Sequence, residues 1–120
     1  MDSILDSVKQ FCGVLPAQTE FDVDILMAIN SVMFTLYTLG VGPSTPFVVE
    51  DSSQTWDDLL GSDPVGGVRA YVNIRSRLLF DPPTNSIVKQ ALDDEAKELE
   101  WRIIAEVDKK DYAAREVSSE

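Results

Sequence analysis

Phe21-Asp22-Val23-Asp24-Ile25-Leu26-Met27-Ala28-Ile29-Asn30-Ser31-Val32-Met33-Phe34-Thr35-Leu36-Tyr37-Thr38-Leu39-Gly40 is the stretch that decides the fold. Ile25, Ile29, Val32, Leu36 and Leu39 recur at helical spacing and make one stripe. Leu26, Met33, Phe34 and Tyr37 widen that stripe around the cylinder. A helix apolar over most of its circumference lies at the centre of its fold or is shared between neighbours. Asp22 reads as the N-cap, and Phe21 with Leu26 as a hydrophobic staple. Gly40 ends the helix, and Gly42-Pro43 confirms the stop.

Upstream, Ile4, Val8 and Phe11, with Leu5 and Cys12, predict a first helix capped by Asp2 or Ser3. Gly13 stands where a glycine closes a helix, and Pro16 prevents continuation. Downstream, residues 40–67 are rich in Gly, Pro, Ser, Thr and Asp. Phe47-Val48-Val49 is a short β-like run there, and Trp56-Asp57-Asp58-Leu59-Leu60 one short helical turn. A loop of this length is usually functional or disordered. Its Trp, Phe and valines favour a loop that orders against something. A third helix is predicted from near Asp63-Pro64, firm from Val68, with Val68, Tyr71, Val72, Leu78 and Leu79 on its apolar face. Asp81-Pro82-Pro83 stops it. A fourth runs from Thr84, Asn85 or Ser86 to about Val107, with Val88, Leu92, Ala96, Leu99 and Ile103 inward. Lys89–Asp93, Asp93–Lys97 and Glu98–Arg102 are its i, i+4 pairs. The expected fold is all-α: a small bundle of about four helices, with a long loop between the second and third and a short strand at Phe47-Val48-Val49 as an option. Residues 1–107 read as one helical domain and 108–120 as a flexible charged tail.

The chain has 120 residues, 44% of them apolar, which fits one domain with a real core. Lys and Arg number 10 against 21 Asp and Glu, a net charge of −11. That balance argues against a sequence-reading nucleic-acid binder, which needs a basic footprint. There is no histidine, so His-based acid–base chemistry, Ser-His-Asp triads and the usual zinc ligands are excluded. Cys12 is the single cysteine and allows no internal disulfide. No apolar run approaches the roughly 20 residues of a membrane span. Met1-Asp2-Ser3 lacks a basic signal-peptide start, so an intracellular-type chain is expected.

Charge is segregated. Glu50, Asp51, Asp57, Asp58 and Asp63 crowd one loop with no base among them, while Arg69, Arg75 and Arg77 gather on the third helix, Arg69 and Arg77 with Asn73 on one polar stripe and Arg75 elsewhere on the surface. The plain reading is a solvated surface. The sharper one is head-to-tail complementarity, in which the acidic loop of one subunit meets the arginines of the next. No catalytic constellation emerges. Asp93-Asp94-Glu95 point about 100° apart on a helix and cannot converge on a metal. Asp22 and Asp24 are accounted for by capping and the helix dipole. Cys12 reads as a small buried hydrophobe. Gly40-Val41-Gly42-Pro43 lacks the Lys-Ser/Thr of a phosphate loop. The expectation is a non-enzyme with no metal and no cofactor. Trp56 and Phe47-Val48-Val49 either pack on their own core or anchor on a neighbouring subunit.

A set of motifs stands in order along the chain. Ile4-Leu5-Asp6-Ser7-Val8-Lys9 is followed by Phe21-Asp22-x-Asp24-Ile25, Ile29-Asn30-Ser31 and Leu39-Gly40-Val41-Gly42-Pro43. Trp56 comes next in its acidic loop, then Tyr71-Val72-x-Ile74-Arg75-x-Arg77-Leu78-Leu79-Phe80-Asp81-Pro82-Pro83, then Leu99-Glu100-Trp101-Arg102. With these the sequence resembles the head–tail connector (head-completion or adaptor) proteins of long-tailed bacteriophages, over roughly residues 1–103. The segment from Arg77 to Pro83 is the most specific part.

The resemblance implies a structural virion protein at the head–tail junction, assembled in the host cytoplasm. It implies a homo-oligomeric ring, usually dodecameric, with a monomer in isolation as the alternative. The ring sits beneath the portal protein, extends the DNA channel and carries the tail or a stopper protein. Subunit-interface candidates are Phe47, Val48, Val49, Trp56, Arg69, Arg75 and Arg77. Glu50, Asp51, Asp57 and Asp58 are candidates for the channel wall, where double-stranded DNA must pass without sticking. Lys109, Lys110, Tyr112, Arg115 and Val117 are candidates for binding the portal. Two rival readings are an acidic DNA mimic that inhibits a host nucleic-acid-binding enzyme, and a hydrolase built on Asp22, Asp24 and Asp57. The mimic suits the charge but not the arginines, and the hydrolase lacks converging carboxylates.

Overall fold

A computed structural model describes residues 3–61 and 67–118, with side chains through residue 109. Five helices are present among them: α1 (Ile4–Phe11), α2 (Asp22–Thr38), α3 (Trp56–Leu60), α4 (Val68–Phe80) and α5 (Ser86–Ser118). The all-α expectation holds, with the short turn at Trp56 as a fifth helix. α4 lies between α2 and α5 and packs on both, while α1 lies across α2 and α4. One core runs through all of them, with Ile4, Val8, Ile25, Ile29, Leu36, Val68, Val72 and Ile103 fully enclosed.

Ser3 caps α1, accepting from the Asp6 N–H at 3.2 Å, and Gly13 closes that helix at φ 78°. At α2 the cap differs from expectation. Phe21 occupies the cap position with no side-chain hydrogen bond, and Asp22 is the first helical residue. The reason is competition: the Asp22 carboxylate is drawn to the Lys9 ammonium, 2.7 Å away. Lys9 is buried, 1% exposed, and also donates to the Pro16 carbonyl at 3.0 Å. This ion pair ties α1, the α1–α2 turn and the start of α2 together. The Phe21 ring packs edge-on against Phe80 at 6.0 Å, so α4 takes up the side chain assigned to the staple.

Ile25, Ile29, Val32 and Leu36 of α2 are buried, as their spacing predicts, and Leu39 is half-buried; of the residues that widen the stripe, Met33 is buried and Leu26 half-buried. Phe34 and Tyr37, which widen the stripe, face outward, together with Val23 and Met27. The start expected at Asp63-Pro64 lies outside the described residues, and α4 begins at Val68 after Gly67 at φ 86°. A Cβ on Gly67 would sit 3.1 Å from Leu99 Cδ2, so the positive φ and the approach of α5 both favour glycine there. Ile74 and Ser76 are buried in α4, whereas Leu78 is half-buried and Leu79 is exposed. The last turn of α4 reaches past the core, which leaves Leu79 without cover. α5 continues beyond Val107 to Ser118, further than the sequence pattern carries it.

The long connection after α2 is anchored at several points. Val41, Val49, Trp56 and Leu59 are buried in the common core. No strand forms at Phe47-Val48-Val49, because the backbone there bonds to a side chain instead of to another strand. Asn30 Oδ1 accepts from the Val49 N–H at 2.8 Å, and Asn30 Nδ2 donates to the Val49 carbonyl at 3.0 Å. The Ile4 N–H donates to the Gln54 carbonyl at 3.1 Å, and Ser3 and Thr55 form an isolated bridge. Asn30→Ala would strand two backbone groups of a buried valine. The expected loss is about 2 kcal/mol of stability, with faster amide exchange at Val49 than elsewhere in the loop. Unchanged exchange there would contradict the anchoring role.

Candidate functional site

The acidic loop is ordered by its own side chains. The Gln54 amide oxygen accepts from the Glu50 and Asp51 N–H groups at 2.8 and 3.0 Å. Asp51 Oδ1 accepts from the Ser53 N–H at 2.8 Å and from its hydroxyl. The Ser53 hydroxyl, followed by its backbone N–H, holds the Asp51 carboxyl below its usual range. Thr55 and Asp58 form a capping box at the start of α3. Glu50, Asp51, Asp57 and Asp58 are all exposed. The four candidates for the channel wall therefore stand on one pinned surface segment.

The interface candidates divide. Val49 and Trp56 are consumed by the monomer's core, at 1% and 3% exposure, and Phe47 packs partly against it. Val48, at 55% exposure, is the member of the run that reaches solvent. The three arginines do not form one patch. Arg69 lies over the Trp56 ring at 5.2 Å and Arg77 over the Phe11 ring at 5.9 Å. Asn73, between them on the same face, accepts from the Ser7 hydroxyl at 3.2 Å, so this face of α4 meets α1 and α3. Arg75 points to the other side, toward α5. It lies 3.5 Å from Asp93, 3.8 Å from Glu100 and 5.7 Å above the Tyr71 ring.

Tyr71 donates its hydroxyl proton to Glu100 at 2.6 Å. Burial, seconded by that hydrogen bond, pushes its pKa up to about 12 from 10.0. The folded value lies above the unfolded one, so the stabilisation is complete below pH 10 and is lost as pH rises toward 12. Ultraviolet titration of the phenolate should show a late transition near pH 12 that Tyr71→Phe removes. A tyrosine titration unchanged by that substitution would exclude the assignment.

The Lys97 hydrogen bond at 3.0 Å, with Arg75 and Lys89 adding through space, holds Asp93 below the usual carboxylate range. Arg102 pairs with Glu98 at 3.1 Å. Cys12 is half-buried, and burial raises its thiol pKa, the opposite of what a nucleophile needs. Among the described residues, no three Cys, Asp or Glu side chains group closely enough to hold a metal ion, and no helix is long and apolar enough to cross a membrane. Asp22, Asp24 and Asp57 are thus not brought together as a metal site. Of the portal candidates, Lys109 is exposed, and the side chains of Lys110, Tyr112, Arg115 and Val117 lie outside the described residues.

Sequence reasoning missed the most conspicuous surface. Val23, Met27 and Phe34 of α2 are 72%, 69% and 57% exposed, with Tyr37 at their edge. Leu79 of α4 shares a groove with Met27, and Val48, next to the Asn30-bound Val49, is exposed as well. Ile87 and Trp101 project from α5, at 79% and 69%. The signal available in sequence was that α2 is apolar all round, which a single core cannot absorb. Such exposed apolar surface marks a contact face.

No curated protein and no solved structure matches this chain. A family model described as phage connector protein matches residues 4–110. A match over nearly the full length of an all-helical module places the chain among these structural connectors of bacteriophage particles: it belongs to the phage connector protein family.

Proposed function

We propose that the protein assembles as a ring, dodecameric in the virion, beneath the portal at the head–tail junction. The ring extends the DNA channel and carries the tail or a stopper protein. The observation that carries this reading is the connector-family match over residues 4–110. The pinned, base-free acidic segment supports the channel part of it. Glu50, Asp51, Asp57 and Asp58 on the lumen would repel phosphates, so that DNA slides past without binding. Residues 109–120 would engage the portal through Lys109, Lys110, Tyr112, Arg115 and Val117. The protein would be made and assembled in the host cytoplasm before it joins the particle.

Mass measurement of the protein, alone and mixed with portal-bearing capsids, tests the ring directly. A ring in either setting is expected, and a monomer in both would refute it. Deleting residues 109–120 should abolish capsid attachment while the helical circular-dichroism signal and melting of the remaining domain persist. Full attachment by the truncated protein would remove the tail from the portal contact.

A further inference from the structure

We infer that the outer face of α2 pairs with the α2 of a second copy, antiparallel about a two-fold axis, and that this dimer is the form of the free protein. The inference goes beyond the ring and uses no feature of it. α2 carries two stripes of the same rhythm. Ile25, Ile29, Val32, Leu36 and Leu39 follow at steps of 4, 3, 4 and 3 and turn to the core. Val23, Met27, Asn30, Phe34 and Tyr37 repeat those steps two residues earlier. In this second stripe Val23, Met27, Phe34 and Tyr37 are exposed, and Asn30 is spent on Val49. A repeat of about 3.5 residues is the seam along which one helix packs on another. The occupant it fits is a helix.

Charge says whose helix. Residues 25–49 contain no Asp, Glu, Lys or Arg, in a chain that is 26% charged with a net charge of −11. A basic partner would be held better by acids on this face. Two copies of an acidic chain need the reverse, a face on which no like charges are opposed. α5 shows an outward line of the same rhythm, Ile87, Ala91, Asp94, Glu98 and Trp101. Its two central carboxylates would be covered by an α2 that offers no base to meet them.

The α2 stripe is complementary to itself when reversed. An axis between Asn30 and Ser31 sets Met27 of each copy against Phe34 of the other, a thioether on an aromatic ring. Asn30 and Ser31 leave room at the centre for the two helices to approach. Glu20 and Asp24, the exposed acids at the start of α2, fall beside residues 37–43 of the other copy, which carry no charge. On one flank Arg75 and Glu100 lie 3.8 Å apart and offset each other, in a depression shared with Ser31 and Thr35. On the other, Glu50 follows the clamped Val49. Leu79 shares a groove with Met27 and extends the face onto α4. Five such side chains expose on the order of 500 Å², short of the roughly 800 Å² each partner gives a standard interface, so the dimer is reversible. The same patch is used on both copies, so the contact closes at two.

Sedimentation of the free protein over a range of concentrations should show a monomer–dimer equilibrium and nothing larger. Raising salt from about 50 to about 500 mM should tighten it severalfold, because screening relieves two acidic copies and breaks no ion pair between them. Weakening by salt would overturn the uncharged contact. Ser31→Cys in a Cys12→Ala background lies beside the axis and keeps every apolar side chain of the seam. Oxidation should trap it as a covalent dimer, whereas Ala91→Cys on α5 should not cross-link. A dimer that Ser31→Cys fails to trap, or that Ala91→Cys traps, would overturn the α2 pairing. Phe34→Asp should weaken dimerisation about thirtyfold or more while the melting of dilute protein stays unchanged. Dimers of Phe34→Asp at wild-type concentrations would overturn it as well. If the free protein stayed monomeric and Phe34→Asp instead lost capsid attachment, the face would belong to a portal or tail protein and the dimer would be refuted. A ring formed by the free protein would refute the dimer and leave the ring standing. A trapped dimer whose unlinked form never joins capsids would support the dimer and count against the ring.

Discussion

Asp22→Ala is expected to destabilise the fold by about 3 kcal/mol, a large fraction of a domain's total stability. Lys9 is 1% exposed and has two partners, the Asp22 carboxylate at 2.7 Å and the Pro16 carbonyl at 3.0 Å. Without Asp22 the ammonium keeps one neutral acceptor in a place that water barely reaches. A buried charge that loses its partner is among the most damaging single changes known. The reciprocal substitution should be milder. Lys9→Met keeps the volume of the stem and removes the charge, and the Asp22 carboxylate, at 25% exposure, can rehydrate. Denaturant unfolding of the two variants, at unchanged slope, checks the order. If Lys9→Met proved as harmful as Asp22→Ala, the pair's value would lie in its attraction and not in the burial of Lys9.

That ion pair also shows where sequence reading stops. The helices were legible because their information is local: the stripe of α2, the Ser3 cap, the Gly13 stop and the proline break after α4 each need only a few neighbouring residues. In the sequence Asp22 reads as an N-cap and Lys9 carries no signal of its own. They become a pair only when α1 folds back along α2, and the cap is then given up. Asn30 is similar. An asparagine in mid-helix looks like a polar face, and its clamp on Val49 exists only once the loop has returned across α2. The arginines are the opposite case, because spacing alone separates Arg75 from the stripe of Arg69, Asn73 and Arg77. Arg75 and Arg77 are close in sequence, but two residues along a helix turn a side chain to the far side. One consequently meets α5 and the other α1.

The surface was legible in kind but not in place. An α2 apolar over most of its circumference pointed to a place at the centre of the fold or to one shared between neighbours, and periodicity could not say which of its faces the monomer would cover. The structure assigns Ile25, Ile29, Val32 and Leu36 to the core and leaves Val23, Met27 and Phe34 outside. Charge patterning told the same kind of partial story. It isolated the base-free acidic segment, whose Glu50, Asp51, Asp57 and Asp58 are exposed, while of the two readings of Trp56 and Val49 the one that packs them on their own core matches their burial.

Trp56→Ala should lower stability by about 4 kcal/mol and the melting temperature by roughly 15 °C. Trp56 is 3% exposed and sits at the first position of α3, inside the cluster that joins α1, α2 and α4. Arg69 closes over its ring at 5.2 Å, so truncation removes a core side chain and a cation–π contact together. α3 has only five residues and cannot persist as a helix without that anchor. The loss should therefore begin locally, with rapid amide exchange at residues 54–60, before global unfolding. Trp56→Phe, which keeps most of the apolar volume, should recover more than half of the stability. A melting temperature within a few degrees of wild type for Trp56→Ala would mean that α3 is a peripheral turn and that the acidic loop is held by Asn30 and Gln54 alone.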